Sequence, residues 1–398
     1  MMALWLLACA DDPAAKVQDS RSSSTAPDLA SEPTPDEVLA TVRANRDAGL
    51  SAWSTSHGWP VKTTDGWLFV TAGSLLLAGD HDDWAGTPMN PESGFSWLVL
   101  PDLSAGSRYK YTDGAERWEA DRWSRAYATD EFGEMSLVAP VEAHLERFFS
   151  VEDGVLAARD LHLWVPAGTP THVLYSHDGQ NLFDRQASWG GWRLDESAPP
   201  GLLIVGIDNT VDRMDEYTHV RDKLHGEWIG GNGALYAEYV ENTVRPLVHR
   251  VYSEPTVVGT LGSSLGGLIS FEIPRLYPGS YRVLGSLSGP LGWGSIGAQE
   301  ETMIALYAAA GHQDTAIYLD SGGSGTTCAD SDGDGTNDDD FESSDNYCTT
   351  MQMKAVLESS GYTYDTDLWH WHEPNAEHNE AEWAARVARP LELFVNLD

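Results

Sequence analysis

Thr256-Val257-Val258-Gly259-Thr260-Leu261-Gly262-Ser263-Ser264-Leu265-Gly266-Gly267-Leu268 runs from an apolar, β-branched stretch through Gly-x-Ser-x-Gly into a helix-forming one. A serine at the tip of a sharp strand-to-helix bend needs very small neighbours on both flanks, because side chains there would clash. The helix N-terminus beneath it also favours negative charge. Ser264 has the register for that tip, whereas the adjacent Ser263 does not. The stretch therefore predicts a strand that presents a nucleophilic serine at its end.

The same alternation extends on both sides. From about residue 141, strand-like runs alternate with helical ones, which implies a sheet wrapped by helices. The strands are read at His144 to Val151, Leu161 to Pro166, Thr171 to Ser176, Leu202 to Ile207, Thr256 to Leu261, Tyr281 to Ser286, Ala316 to Leu319 and Thr366 to Trp371. The clearest helices are Gly233 to Arg250, Gly267 to Arg275, Thr350 to Ser359 and Glu380 to Leu393.

A hydroxyl is a weak nucleophile near neutral pH, so a histidine must take its proton and later hand it to the leaving group. His312, His370, His372 and His378 follow the bend. Trp369-His370-Trp371-His372 reads as a buried strand, while His378 falls in the loop before the last helix, where the base of an α/β-hydrolase belongs. His378 is the expected base.

Four motifs then resemble, in order, one esterase family of the α/β-hydrolases. They are Tyr175-Ser176-His177-Asp178-Gly179-Gln180-Asn181-Leu182-Phe183-Asp184; Gly206-Ile207-Asp208-Asn209 with Arg213 and Glu216-Tyr217; the Gly262 to Gly267 bend; and His378-Asn379-Glu380 with Trp383. That family includes enterochelin esterases, esterase D, feruloyl and acetylxylan esterases and the mycolyltransferases. The resemblance spans roughly residues 142 to 398 and implies acyl-ester hydrolysis without a cofactor, on an acylated sugar, a feruloyl ester or a siderophore-type ester. Acyl transfer on the same fold is the alternative. The oxyanion donors are expected at the Leu265 N–H, directly after the nucleophile, and, by the family pattern, at Gln180. For the acid, Asp320 and Asp345 compete. In the family this residue lies just before a helix, which Asp345 fits better, and a Ser-His dyad stays open.

Residues 36 to 140 read differently. An acidic first turn at Pro35-Asp36-Glu37 predicts a short helix to Asp47, and from Trp67 to Val138 short β-type runs predict a small Ig-like β-sandwich. Gly79-Asp80-His81-Asp82-Asp83-Trp84, Pro88-Met89, Gly106 to Tyr111, and Trp118 with Asp121 resemble the early-set, glycogen-binding-like modules that precede the catalytic domain of enterochelin esterases. Trp84, Trp97, Trp118 and Trp123 are expected in its core, with sugar stacking as the alternative that would make the chain a glycan-binding surface lipoprotein.

The bulk numbers restrict partners. Over 398 residues the formal charge is −37, and lysine stands only at Lys16, Lys62, Lys110, Lys223 and Lys354; such a surface repels nucleic-acid phosphates and anionic headgroups. Residues 1–9 end in Leu6-Leu7-Ala8-Cys9, which resembles a bacterial lipobox. An export signal with a lipidated Cys9 follows, with an ordinary signal cut later as the alternative. Residues 10–35 read as a flexible tether, and 141–398 as the catalytic domain. Cys328 and Cys348 then remain as a natural pair for an oxidising compartment, or as two free thiols. They bracket most of an acidic inserted loop, 321–348, in which Asp330, Asp332, Asp334 and Asp338 resemble a calcium loop, although Phe341 takes the usual final acidic position. A solvated acidic excursion is the other reading.

Overall fold

The computed structural model describes residues 32–252, 255–325, 327–339 and 345–397. Cys9 and most of the expected tether lie outside them.

Eight strands build the C-terminal sheet: β1 (His144–Val151), β2 (Arg159–Val165), β3 (His172–His177), β4 (Leu202–Ile207), β5 (Val257–Ser263), β6 (Val283–Leu287), β7 (Ala316–Ser321) and β8 (Leu368–His372). Their order in space is β1-β2-β4-β3-β5-β6-β7-β8. β2 runs antiparallel to both of its neighbours, and from β4 to β8 every pairing is parallel. β4, β6 and β7 are buried along their whole length, as a parallel sheet covered on both faces requires. Helices close those faces, among them α1 (Leu265–Leu276), α2 (Tyr347–Ser359), α3 (Glu380–Arg386) and α4 (Ala388–Asn396). Residues from both faces form two apolar cores, one around Tyr175, Leu268 and Phe271 and one around Leu174, Leu261 and Phe394.

The N-terminal residues form the expected sandwich, but it is not a separate body. Its first sheet joins Val61–Thr63, Gly66–Ala72, Phe95–Leu100 and Asn90–Glu92. The second sheet is an extension of the C-terminal one, because β1 pairs with Ala126–Asp130 through Leu145 opposite Tyr127 and Glu146 opposite Ala126. Gly133–Val138, Ser107–Thr112, Leu76–Gly79 and Thr87–Pro88 then carry the sheet outward.

Several expectations are corrected. The helix expected to run to Asp47 is two helices, Pro35–Ala44 and Arg46–Ser56, broken at Asn45, whose side chain caps the second. The expected helix from Glu380 to Leu393 divides at Val387; Pro390 lacks the N–H that would bond the carbonyl four residues back. Trp369 to His372 are half-buried, because β8 is the last strand and has a neighbour on one side only. Of the four tryptophans expected in the core, Trp97 and Trp123 pack against it, but Trp118 is 43% exposed and Trp84 only half-buried. Both line a depression with Arg108, Lys110 and Phe132.

Candidate active site

Ser264 occupies the bend between β5 and α1 with φ 52° and ψ −128°, a left-handed conformation that a residue with a side chain rarely adopts. The turn is locked by Ser264 N–H donating to the Leu287 carbonyl at 2.9 Å and by the Ser264 carbonyl accepting from Gly267 and Leu268 at 2.9 and 3.1 Å. A Cβ on Gly262 would lie 2.4 Å from the Gly266 backbone, and one on Gly267 would lie 2.4 Å from Ser286 Oγ. A Cβ on Gly266 would meet nothing closer than 3.3 Å. Local crowding therefore enforces the first glycine and the one after the motif more than the motif's last.

His378 lies just ahead of α3, whose N-cap Asn379 accepts from the Glu382 N–H. Its Nδ1 is 2.5 Å from Asp345 Oδ1. The Trp383 ring meets the imidazole edge-on at 5.0 Å. Asp345 is buried at the start of α2 in a left-handed turn with Asn346, and its Oδ2 accepts from Ser288 Oγ at 2.6 Å and from the Gly322 N–H. Asp320, the competing acid, is also buried, but its partners are Arg386 Nε at 3.1 Å and the Tyr318 hydroxyl at 3.3 Å. The other histidines are engaged elsewhere: His312 with Asp367 at 2.7 Å and His372 with the Gly323 carbonyl at 3.2 Å. Burial pushes His370 down to about 4.

Ser264, His378, Asp178, Asn181, Trp192, Asn209, Arg213, Glu380 and Trp383 line one cavity of about 340 Å³. Asp178 stands in a left-handed turn after β3 and receives the Arg213 guanidinium as a fork, both bonds 2.7 Å, with Asn209 Nδ2 at 2.5 Å. The carboxylate beside it raises Arg213 further above its usual range, against the effect of burial. Glu380, which accepts from Asn181 Nδ2 at 3.2 Å, is raised by partial burial and then by the charge of Asp178. Beneath this floor His177, bonded to Tyr236 and Thr260, is driven by burial down to about 3 and is neutral.

Leu265 opens α1, so its N–H has no carbonyl one turn back within the helix. The Gln180 side chain, by contrast, turns to accept from the Asn209 N–H at 3.2 Å, and Asp178 and Asn181 are the cavity-lining residues from its loop. Arg213, Asn181 and Glu380 stood in the sequence motifs without a role; Ser288 and Arg386 carried no motif at all.

The inserted loop folds against the start of α2, with Asp339 accepting from Thr349 N–H and Oγ1 and Asn337 N–H donating to Gln352 Oε1. Cys328 and Cys348 are joined as a disulfide. Carboxylate oxygens of Asp330, Asp332 and Asp334 converge within 4.8 Å of one another. Asp338 does not join them, because it is bonded by Ser331 N–H and Oγ, and Phe341 lies outside the described residues. A second depression, about 550 Å³, lies on the N-terminal module between Trp84, Trp118, Phe132, Met135, Arg108, Lys110 and Asp130.

A strand-to-helix bend carrying a strained serine, beside a histidine and a buried acid on a sheet ordered in this way, defines an α/β-hydrolase. The chain belongs to the esterase family: the family model described as "Putative esterase" matches residues 161–393. The uncharacterized protein YbbA of Bacillus subtilis is 33% identical over 125 residues, which cover 29% of this chain and 49% of that one, so the chain spans about half the length of this curated relative. An IroE-like serine hydrolase from Shewanella oneidensis superposes with a TM-score of 0.47 at 18% identity, covering 64% of this chain and 80% of that one. An enterochelin esterase from Shigella flexneri gives 0.46 at 13% identity, covering 86% and 97%.

Proposed function

We propose that the chain is an ester hydrolase that works through Ser264 as nucleophile, His378 as general base and acid, and Asp345 as the group that orients the imidazole. The observation that carries the reading is the 2.5 Å contact from Asp345 Oδ1 to His378 Nδ1, with His378 and Ser264 facing one cavity. A carboxylate can only accept, so the Nδ1 position holds the proton and the Nε2 lone pair is left for the Ser264 hydroxyl. Ser264 Oγ attacks the acyl carbon as its proton passes to Nε2. That proton then goes to the departing alkoxide, and a water repeats the sequence to release the acid. The oxyanion is assigned to the Leu265 N–H and the backbone N–H of Gln180, and no cofactor enters any step.

For the substrate, the polar cavity floor with the carboxyl groups of Asp178 and Glu380, in a chain of charge −37, favours an uncharged, hydroxyl-rich ester such as an acylated sugar over an anionic siderophore ester. Hydrolysis of a short nitrophenyl ester by Ser264→Ala tests the nucleophile: near-parental turnover rejects it. Product analysis with added alcohols separates hydrolysis from acyl transfer.

A second reading concerns the N-terminal module, where Trp84 and Trp118, with ring centroids 6.3 Å apart, form an aromatic wall suited to stacking a sugar ring. This part would hold a polysaccharide whose acyl groups the cavity removes. The disulfide suits an exported chain, for which we propose a lipid anchor at Cys9, with no nucleic-acid partner and a structural calcium at Asp330, Asp332 and Asp334.

A further inference from the structure

Behind the His378–Asp345 pair lies a buried cluster that takes no part in bond making. Ser288 follows β6 with φ 52°, and its N–H is tied to the Asp320 carbonyl at 2.8 Å. Three groups meet its hydroxyl: Asp345 Oδ2 at 2.6 Å, Arg386 Nη2 at 2.9 Å and Trp383 Nε1 at 3.1 Å. An indole N–H and a guanidinium can only donate, so they take both oxygen lone pairs and the single hydroxyl proton must point at Asp345. Arg386 lies between two carboxylates, with Nη2 3.4 Å from Asp345 Oδ2 and Nε 3.1 Å from Asp320 Oδ1. Arg386, Asp320, Asp345 and Ser288 are all essentially excluded from solvent. With Asp320 ionised, two acids and one guanidinium leave one negative charge, which protonation of His378 cancels.

We propose that Arg386 and Ser288 are positioning residues that aim Asp345 Oδ1 at His378, and that Asp320 is the counter-charge that holds Arg386 and, through it, tunes the basicity of the imidazole. The inference rests on His378 being the base. Trp383 and Arg386 come from the helix directly after His378, so one short segment carries the base, the ring against it and the cation behind its acid. Burial, with the charge of Asp345 adding to it, pushes the Asp320 carboxyl up to about 6 in spite of the guanidinium; above pH 7 it is mostly ionised. The other charged groups facing His378, Glu380 on α3 and the Asp178–Arg213 pair across the cavity, are present unchanged in all three proteins, so they bear on each titration alike.

The test is an NMR titration of the His378 ring nitrogens, without substrate, in the parent, Asp320→Asn and Asp320→Asn/Arg386→Met, with melting temperature as the check on folding. Removing the anion alone leaves the guanidinium unopposed and lowers the His378 pKa by about one unit; removing the cation as well raises it again by a similar amount. A His378 pKa that stays within about 0.2 units of the parent in both variants, or moves the same way in both steps, overturns the proposal. Asp320→Asn/Arg386→Gln replaces the methionine variant if the latter does not fold. In a second arm, Ser288→Ala and Arg386→Lys lower kcat about tenfold with KM within about twofold; equal losses in kcat and gains in KM contradict positioning. If the two pKa steps occur but Ser264→Ala retains turnover, the nucleophile assignment fails and the positioning cluster stands.

Discussion

The two depressions of this molecule are built on opposite principles. At the bend between β5 and α1, about 340 Å³ is bounded mainly by polar side chains, several of them held by others: Asp178 by Arg213 and Asn209, Glu380 by Asn181, His378 by Asp345. On the N-terminal module, about 550 Å³ lies among rings, with Trp118 43% and Phe132 76% exposed. The cations at its rim are tied down at its margin, Arg108 to Asp80 and Lys110 to the Phe132 carbonyl. Making and breaking bonds requires orientation within a fraction of an ångström, whereas stacking requires mainly area. The first depression should therefore fail on the loss of one atom, and the second should weaken ring by ring.

The sharpest way to break that contrast is Ser264→Ala, which lowers kcat by on the order of 10⁴-fold or more while polysaccharide retention by the module, read by affinity electrophoresis, is unchanged. Arg213→Lys keeps the charge but loses the fork on Asp178 and costs about 1.5–3 kcal/mol in kcat/KM, read on the same nitrophenyl ester. Trp84→Ala with Trp118→Ala should weaken polysaccharide binding about tenfold per ring, with ester turnover at the parental level. A loss of turnover there would show the two depressions to be coupled. Adding calcium to chelator-treated protein should raise the melting temperature by about 5 °C, and no change in either direction ends the calcium assignment.

The module's core carries a pH signature of its own. Asp121 accepts from Tyr109 at 3.0 Å and from the Trp123 N–H at 2.8 Å, yet burial pushes it up to about 6. The folded state then holds this proton more tightly than the unfolded chain. Its contribution is fully present below the unfolded value near 4 and is lost as pH rises through about 6, by about 3 kcal/mol. Denaturant titrations of Asp121→Asn should lack that decline between pH 4 and 6.

What the sequence made legible was whatever local sterics dictate. Gly262 and Ser264 could be read because the bend admits no side chain at the first position, and the order of strands and helices followed from their periodicity. His378 was singled out from its place in the chain. Asp345 could be favoured only by resemblance, since its contact with His378 closes across 33 positions and a long inserted loop precedes it. Two of the four tryptophans were misread for a related reason: alternation along a strand does not fix which side meets another layer, as at Trp118, and Trp84 lies in a turn with no alternation to read. Arg386 had no signal, because an arginine on a short helix looks the same in sequence whether it meets water or two buried acids.

The pairing of Leu145 with Tyr127 and Glu146 with Ala126 bears on how this chain can be cut. Severing it near position 140 to isolate the catalytic part would strip one side of β1 and leave its free amides and carbonyls as a docking rail for other copies. A fragment beginning there should clump at concentrations where the intact chain does not, which makes the N-terminal module a cap for the C-terminal sheet.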